Sequence, residues 1–154
     1  MKNAFTLVEL IIVIAIIAVI AGIGIMSLVG YRQRQSLRIQ TEELVAVLRN
    51  SHDRSVTQES GSRWGVYFEN PAGDNNDFYD LFSGVSYNPA AVVSRTPLPS
   101  GLRLDIPASG ASSTFIFAPL TGFPNASGTI KLSLVGNPSV SSTIIVNSNG
   151  QIQY

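Results

Sequence analysis

The chain has 154 residues and a mass of 16.5 kDa, enough for one domain with a core and little more. Ten basic and ten acidic side chains give a formal net charge of zero, which argues against a strongly basic nucleic-acid binder and an acidic disordered tail. There is no cysteine and one histidine, so disulfide frameworks, thiolate zinc sites, cysteine nucleophiles and paired-histidine metal sites are excluded.

The charges fall unevenly along the chain. Residues 1–31 carry only Lys2 and Glu9, and from Leu10 to Gly30 a run of 21 residues is uncharged, 17 of them apolar. At about 1.5 Å per residue such a helix covers roughly 30 Å, the thickness of a bilayer's hydrocarbon core. It is longer than the h-region of a signal peptide, about 7–15 residues. Glu9 stands at its edge, where an unpaired carboxylate costs several kcal/mol in apolar surroundings, about 2.5 or more at a helix centre. A simple anchor has no need of it.

Residues 32–59 hold five basic and four acidic side chains and no Gly or Pro. Leu37, Thr41, Leu44, Val45, Leu48, His52, Ser55 and Val56 recur at steps of 3 and 4, one face of a helix. Glu42, Glu43, Arg49, Arg54 and Gln58 occupy the other face. The spacing predicts a single helix from Phe5 to about Glu59, with Gly61 as its C-terminal stop.

From residue 60 onward 95 residues contain nine charges, all eight prolines and ten of the thirteen glycines. Alternating or β-branched runs predict strands at Arg63–Glu69, Phe78–Phe82, Leu102–Ile106, Thr114–Ala118, Thr129–Val135, Ser142–Asn147 and Gln151–Tyr154. Turn-formers separate them at residues 70–77, 88–91, 97–101, 107–112, 119–128, 136–141 and 147–150. Asn149-Gly150 is a hairpin signal. The class is therefore α+β: a long N-terminal helix, transmembrane in its first half and amphipathic in its second, packed on a C-terminal antiparallel β domain. The expected divisions are a leader at 1–4, a membrane or filament-core segment at 5–30, an amphipathic segment at 31–60 and a β-rich domain at 61–154.

Chemistry-bearing candidates are few, and no catalytic residue, metal site or cofactor is expected. Asp74, Asn76, Asp77 and Asp80 cluster, but the spacing of a calcium loop and its distal Glu are missing, so a solvated turn is the expectation. His52 lies on the apolar helical stripe and reads as a packed residue. Trp64 and Phe68 share one strand face and read as core, and Asn125-Ala126-Ser127 fits a glycosylation sequon by composition alone.

The run Ala4-Phe5-Thr6-Leu7-Val8-Glu9-Leu10 resembles the processing motif of type IV pilins and type II secretion pseudopilins. The stretches 51–69 and 142–154 resemble H-type minor pseudopilins and the related minor pilins of natural transformation. The resemblance implies cleavage by a prepilin peptidase between Ala4 and Phe5, N-methylation of Phe5, and a Glu at the fifth mature position, Glu9. Ala4 departs from the family's usual Gly. Implied partners are the peptidase, other pilin or pseudopilin subunits, an inner-membrane assembly platform, and membrane lipid before assembly. The implied location is a bacterial inner membrane, crossed once, with the C-terminal domain in the periplasm or outside. A positive-inside count of Lys2 against Arg32, Arg34 and Arg38 points the other way. Transformation pilins bind DNA through a basic C-terminal tail, whereas this chain ends Gln151-Ile152-Gln153-Tyr154 and has Lys131 as its only basic residue after Arg103; no nucleic acid is expected.

Cleavage before Phe5 would create an α-amine four residues from Glu9, on one helix face. Each charge is costly alone in lipid, and the two are tolerable as a pair. In the family that pair is thought to join neighbouring subunits. Gly22 and Gly24, each costing about 1 kcal/mol against Ala in a helix, sit where related major pilins loosen in filaments. The expected function is a processed structural subunit, not an enzyme. The alternatives are a membrane-anchored binding module that does not polymerise and a small secreted enzyme.

Overall fold

The computed structural model describes residues 6–73 and 76–154, with residues 21–28 described in their helical backbone alone. A 50-residue helix, α1 (Leu7–Val56), is followed by eight strands: β1 (Trp64–Asn70), β2 (Phe78–Ser83), β3 (Val92–Pro97), β4 (Leu102–Ile106), β5 (Ala111–Phe117), β6 (Gly128–Leu134), β7 (Asn137–Val146) and β8 (Ile152–Gln153). The chain divides into two compact units, residues 1–35 and 36–154.

In the first unit the chain is helical from Leu7, and the apolar side chains from Leu7 and Val8 to Val19 and Ile20 are exposed. Among the described residues no helix is long and apolar enough to cross a membrane. The apolar run Leu10–Gly30 includes residues 21–28, whose side chains are not described.

In the second unit the helix buries the face that its spacing predicts. Leu37, Thr41, Leu44, Val45, Leu48 and Ser55 are buried, and His52 and Val56 are half-buried. Leu44 and Leu48 are fully enclosed, which stabilises by about 2 kcal/mol each. Gln40 and Ser51 are buried too, so the stripe is wider than its apolar members. Gln40 Nε2 donates to the Tyr79 hydroxyl at 3.3 Å, and the Thr41 hydroxyl is satisfied by the Leu37 carbonyl at 2.8 Å. The helix stops at Val56, short of Glu59. Gln58 already adopts a left-handed φ of 55°, and the chain turns back through Ser60 and Gly61, both also at positive φ. Ser55 Oγ then accepts the Trp64 N–H at 2.8 Å, which fixes the entry of β1 against the last helical turn.

The strands form two antiparallel four-stranded sheets, ordered β3-β2-β1-β5 and β4-β6-β7-β8. On β1 the alternation turns Trp64, Val66 and Phe68 into the core, as expected. There they meet Tyr79, Leu81, Phe115 and Phe117 from the same sheet and Leu102, Leu104, Ile130, Leu132, Ile144 and Val146 from the other. Phe68 lies edge-on to Phe115 at 6.1 Å. Gly65, on the opposite face of β1, supports the ring of Phe82: a Cβ there would stand 2.7 Å from Phe82 Cζ and 2.7 Å from the Phe115 carbonyl. Gly65→Ala should therefore cost about 1–3 kcal/mol by overpacking. Urea unfolding of the detergent-solubilised chain, read from Trp64, the single tryptophan, measures it.

The expected strands all form, although β5 starts at Ala111, inside the stretch 107–112 expected to be a turn, and two further features differ. β3 was not anticipated. It is a mostly exposed edge strand that ends in Pro97, so it carries neither apolar alternation nor a full set of donors. β7 begins at Asn137, inside the stretch 136–141 expected to be a turn. Pro138 is accommodated there because β8 pairs only with Ile145 and Val146, leaving the first half of β7 an edge on that side. The β7–β8 hairpin turns at Asn149-Gly150 as expected, with Gly150 at φ 84° and its N–H on the Asn147 carbonyl at 3.0 Å.

Candidate functional site

Two places hold the polar groups of interest: the start of α1 and a corner where β1, β2 and β4 meet.

At the helix start, Thr6 Oγ1 accepts the Glu9 N–H at 3.3 Å and the Thr6 carbonyl accepts the Leu10 N–H at 3.2 Å. Thr6 is thus the N-cap, and Thr6-Leu7-Val8-Glu9 has the spacing of a capping box. Glu9 is an acidic residue in the first turn, where the helix dipole favours its charge. Sequence reasoning missed Thr6; the T-x-x-E spacing is the signal that carries it. Ala4 and Phe5 lie outside the described residues, and Gly22 and Gly24 fall within 21–28.

The corner is built from acids that were expected to be solvated. Asp74 lies outside the described residues and Asn76 is exposed, but Asp77 and Asp80 are buried, at 1% and 0% exposure. The correction has a physical cause: each finds partners far away in sequence. Asp77 Oδ2 accepts the Leu104 N–H at 2.5 Å. Asn70 Nδ2 donates to the carbonyls of Leu104 and Pro107, each at 2.8 Å. Both backbone groups of Leu104, on the free edge of β4, are therefore closed by side chains from the other sheet. Asn125 does the same for β5: its Oδ1 takes the Ile116 N–H at 2.8 Å, and its own N–H goes to the Ile116 carbonyl at 2.8 Å.

Asp80 is held by Arg95, with Nε to Oδ1 at 2.9 Å and Nη2 to Oδ2 at 2.8 Å, and by the Tyr87 hydroxyl at 2.7 Å. Arg95 lies 4.0 Å over the Phe78 ring, and Tyr87 stacks on Tyr67 at 3.7 Å. Burial first, then the Asp80 carboxylate, pushes the Tyr87 hydroxyl up to about 12. Residues 84–91 are thereby strapped over the outer face of the β1–β2 sheet, covering Phe82 through Tyr87.

Asp77 differs in having one oxygen, Oδ1, buried without a hydrogen-bond partner. Burial raises its carboxyl above the usual range, opposed by the Leu104 N–H and the Arg103 charge. A carboxyl raised on folding contributes stability at low pH that is lost as pH rises through its folded value. Wild type should therefore lose stability relative to Asp77→Asn as pH rises from the ordinary carboxylate range through that raised value, and the difference should be flat above it. Urea unfolding at a series of pH values checks this.

His52 packs edge-on against Phe117 at 5.5 Å with Nδ1 on Asp53 Oδ1 at 3.0 Å, as a packed residue should. Among the described residues no group of three His, Cys, Asp or Glu side chains could hold a metal ion.

Residues 1–25 match the prokaryotic N-terminal methylation motif. No curated protein matches the chain. Two solved structures share its fold, both crystal forms of the Pseudomonas aeruginosa PAO1 type IV minor pilin FimU. The first (space group P21) is 17% identical with a TM-score of 0.56, over 80% of this chain and 90% of that one. The second (P65) is 16% identical with a TM-score of 0.52, over 76% and 90%. The long N-terminal helix that begins within the matched methylation motif is thus joined to a fold shared with a type IV minor pilin.

Proposed function

We propose that the chain is a minor pilin or pseudopilin, a structural subunit that a prepilin peptidase cuts between Ala4 and Phe5 and that then enters a type IV pilus or a type II secretion pseudopilus. The observation that carries this is the joining of the methylation motif at residues 1–25 to a minor-pilin fold in one chain. On this reading residues 1–4 are a leader, Phe5 becomes the methylated N-terminus, and the apolar stretch 5–30 is held in the inner membrane before assembly. The partners are the peptidase, the assembly platform and neighbouring subunits. Glu9 pairs with the Phe5 amine of a neighbour, drawing the new helix into register. Gly22 and Gly24 let the helix extend as it is built in.

The test is the mature N-terminus, read by mass spectrometry from membranes and from sheared filaments. The proposal expects N-methylated Phe5 in both fractions. Intact Met1 with no protein in filaments would overturn it in favour of an unpolymerised anchor. A start between about residues 22 and 28 would mean a cleaved secretory signal.

A further inference from the structure

The stretch just after the apolar run carries charge that the chain does not balance. Residues 10–41 contain Arg32, Arg34 and Arg38 and no acidic side chain. Arg38 pairs with Glu42, its Nε 2.9 Å from Oε1. Arg32 and Arg34 are exposed, and among the described residues their side chains meet no hydrogen-bond or ion-pair partner. Residues 21–28 contain no acid that could pair with them. Cations elsewhere are engaged: Arg54 by Glu59, Arg95 by Asp80, and Arg103 and Lys131 by Asp105.

Arg32 and Arg34 stand about 3 Å apart along the helix axis and about 200° apart around it. They leave the helix on opposite sides at nearly one level, and each long side chain carries its charge away from an apolar stem. Tyr31 precedes them and is 66% exposed. A phenol has an apolar body and a polar tip, which suits the boundary between hydrocarbon and water. One ring and two cations thus end the uncharged run Leu10–Gly30 as a collar.

The charges select the headgroup. A phosphate diester matches the guanidinium fork. A zwitterionic headgroup also brings an ammonium group, which the second arginine repels; a headgroup of net negative charge brings none. With the C-terminal domain outside the cytoplasm, these arginines also oppose the positive-inside count, so orientation does not account for them.

Resting on the reading that residues 5–30 are held in a membrane, we propose that Tyr31, Arg32 and Arg34 form a binding collar for anionic phospholipid, each guanidinium donating to a headgroup phosphate. The collar sets the depth of the helix before assembly.

The test is native mass spectrometry of the detergent-solubilised full chain, offered phosphatidylglycerol and phosphatidylcholine with identical acyl chains in equal amounts. Each arginine near an anionic surface contributes roughly fivefold. Wild type should therefore retain phosphatidylglycerol over phosphatidylcholine by a factor on the order of ten or more, and by less at roughly tenfold higher ionic strength. Arg32→Gln combined with Arg34→Gln should bring the ratio close to one. Arg63→Gln, which removes another exposed cation, should leave it unchanged. All three positions are exposed, so Trp64 fluorescence should stay native throughout. The proposal is overturned if wild type shows no preference, if the double variant keeps the wild-type ratio, or if Arg63→Gln lowers it as much. No preference in wild type, with the double variant missing from sheared filaments, would assign the arginines to acids of a partner subunit instead. Carbonate washing of membranes reads the anchor by itself. A wild type that stays in the membrane without preferring the anionic lipid overturns the collar alone; one that washes off overturns the membrane-held reading as well.

Discussion

Glu9→Ala should be cleaved normally at Ala4-Phe5 and yet be absent from sheared filaments. The substitution leaves the cut site untouched and removes a desolvation cost, so insertion into the membrane should be intact or slightly better. On the proposed reading it removes the partner of the new Phe5 amine, and breaking a paired charge in apolar surroundings leaves the other uncompensated at a cost of about 3–5 kcal/mol. Incorporation should fall by a factor on the order of a hundred or more. The capping geometry offers a competing explanation, because Glu9 follows the N-cap Thr6 at capping-box spacing. Glu9→Gln separates the two. Glutamine serves a capping box but has no charge, so it should fail like alanine if pairing matters and assemble if only the helix start does. Thr6→Ala is the converse, costing about 1 kcal/mol of cap and leaving the charge. Fractionation of filaments against membranes, with mass spectrometry of the N-terminus, decides. Processed Glu9→Ala protein in filaments at the wild-type level would refute the pairing.

Arg95→Ala should be among the most damaging single changes in the β domain. Asp80 is fully buried and Arg95 supplies two of its three hydrogen bonds. Removing the guanidinium leaves a carboxylate held by Tyr87 alone. Breaking a buried pair typically costs about 3–5 kcal/mol; because the Arg95 side chain is 53% exposed, the lower end, about 3 kcal/mol, is expected. Urea unfolding followed by Trp64 measures it. The double variant Arg95→Ala with Asp80→Asn should recover part of the loss, since no buried charge then remains. A loss below about 1 kcal/mol, the level of an exposed ion pair, would mean that Asp80 is not held as the structure has it.

Much of this architecture was legible because it repeats locally. The helix face from Leu37 to Ser55 follows 3.6-residue spacing, and strands such as Trp64–Asn70 alternate. Charge and turn composition located the change from helix to sheet. What could not be read is what depends on contacts between distant residues. Asp77 and Asp80 look like members of a polar turn because nothing near them reveals that Leu104 and Arg95 stand 27 and 15 residues away. β3 lacked a pattern because only one of its edges is paired. The methylation motif was legible from Ala4 to Leu10, whereas the cap that Thr6 provides in the same stretch becomes evident from its geometry.

Each outer strand of the two sheets is finished by the chain itself. Leu104 on β4 is closed by Asn70 and Asp77, Ile116 on β5 by Asn125, β3 ends in Pro97 and carries Arg95, and β8 is two residues long. Such edges offer little template for another strand. Apart from the first half of β7, which β8 leaves unpaired, copies of this domain crowded side by side would therefore touch through side chains and not through a shared ladder of backbone hydrogen bonds.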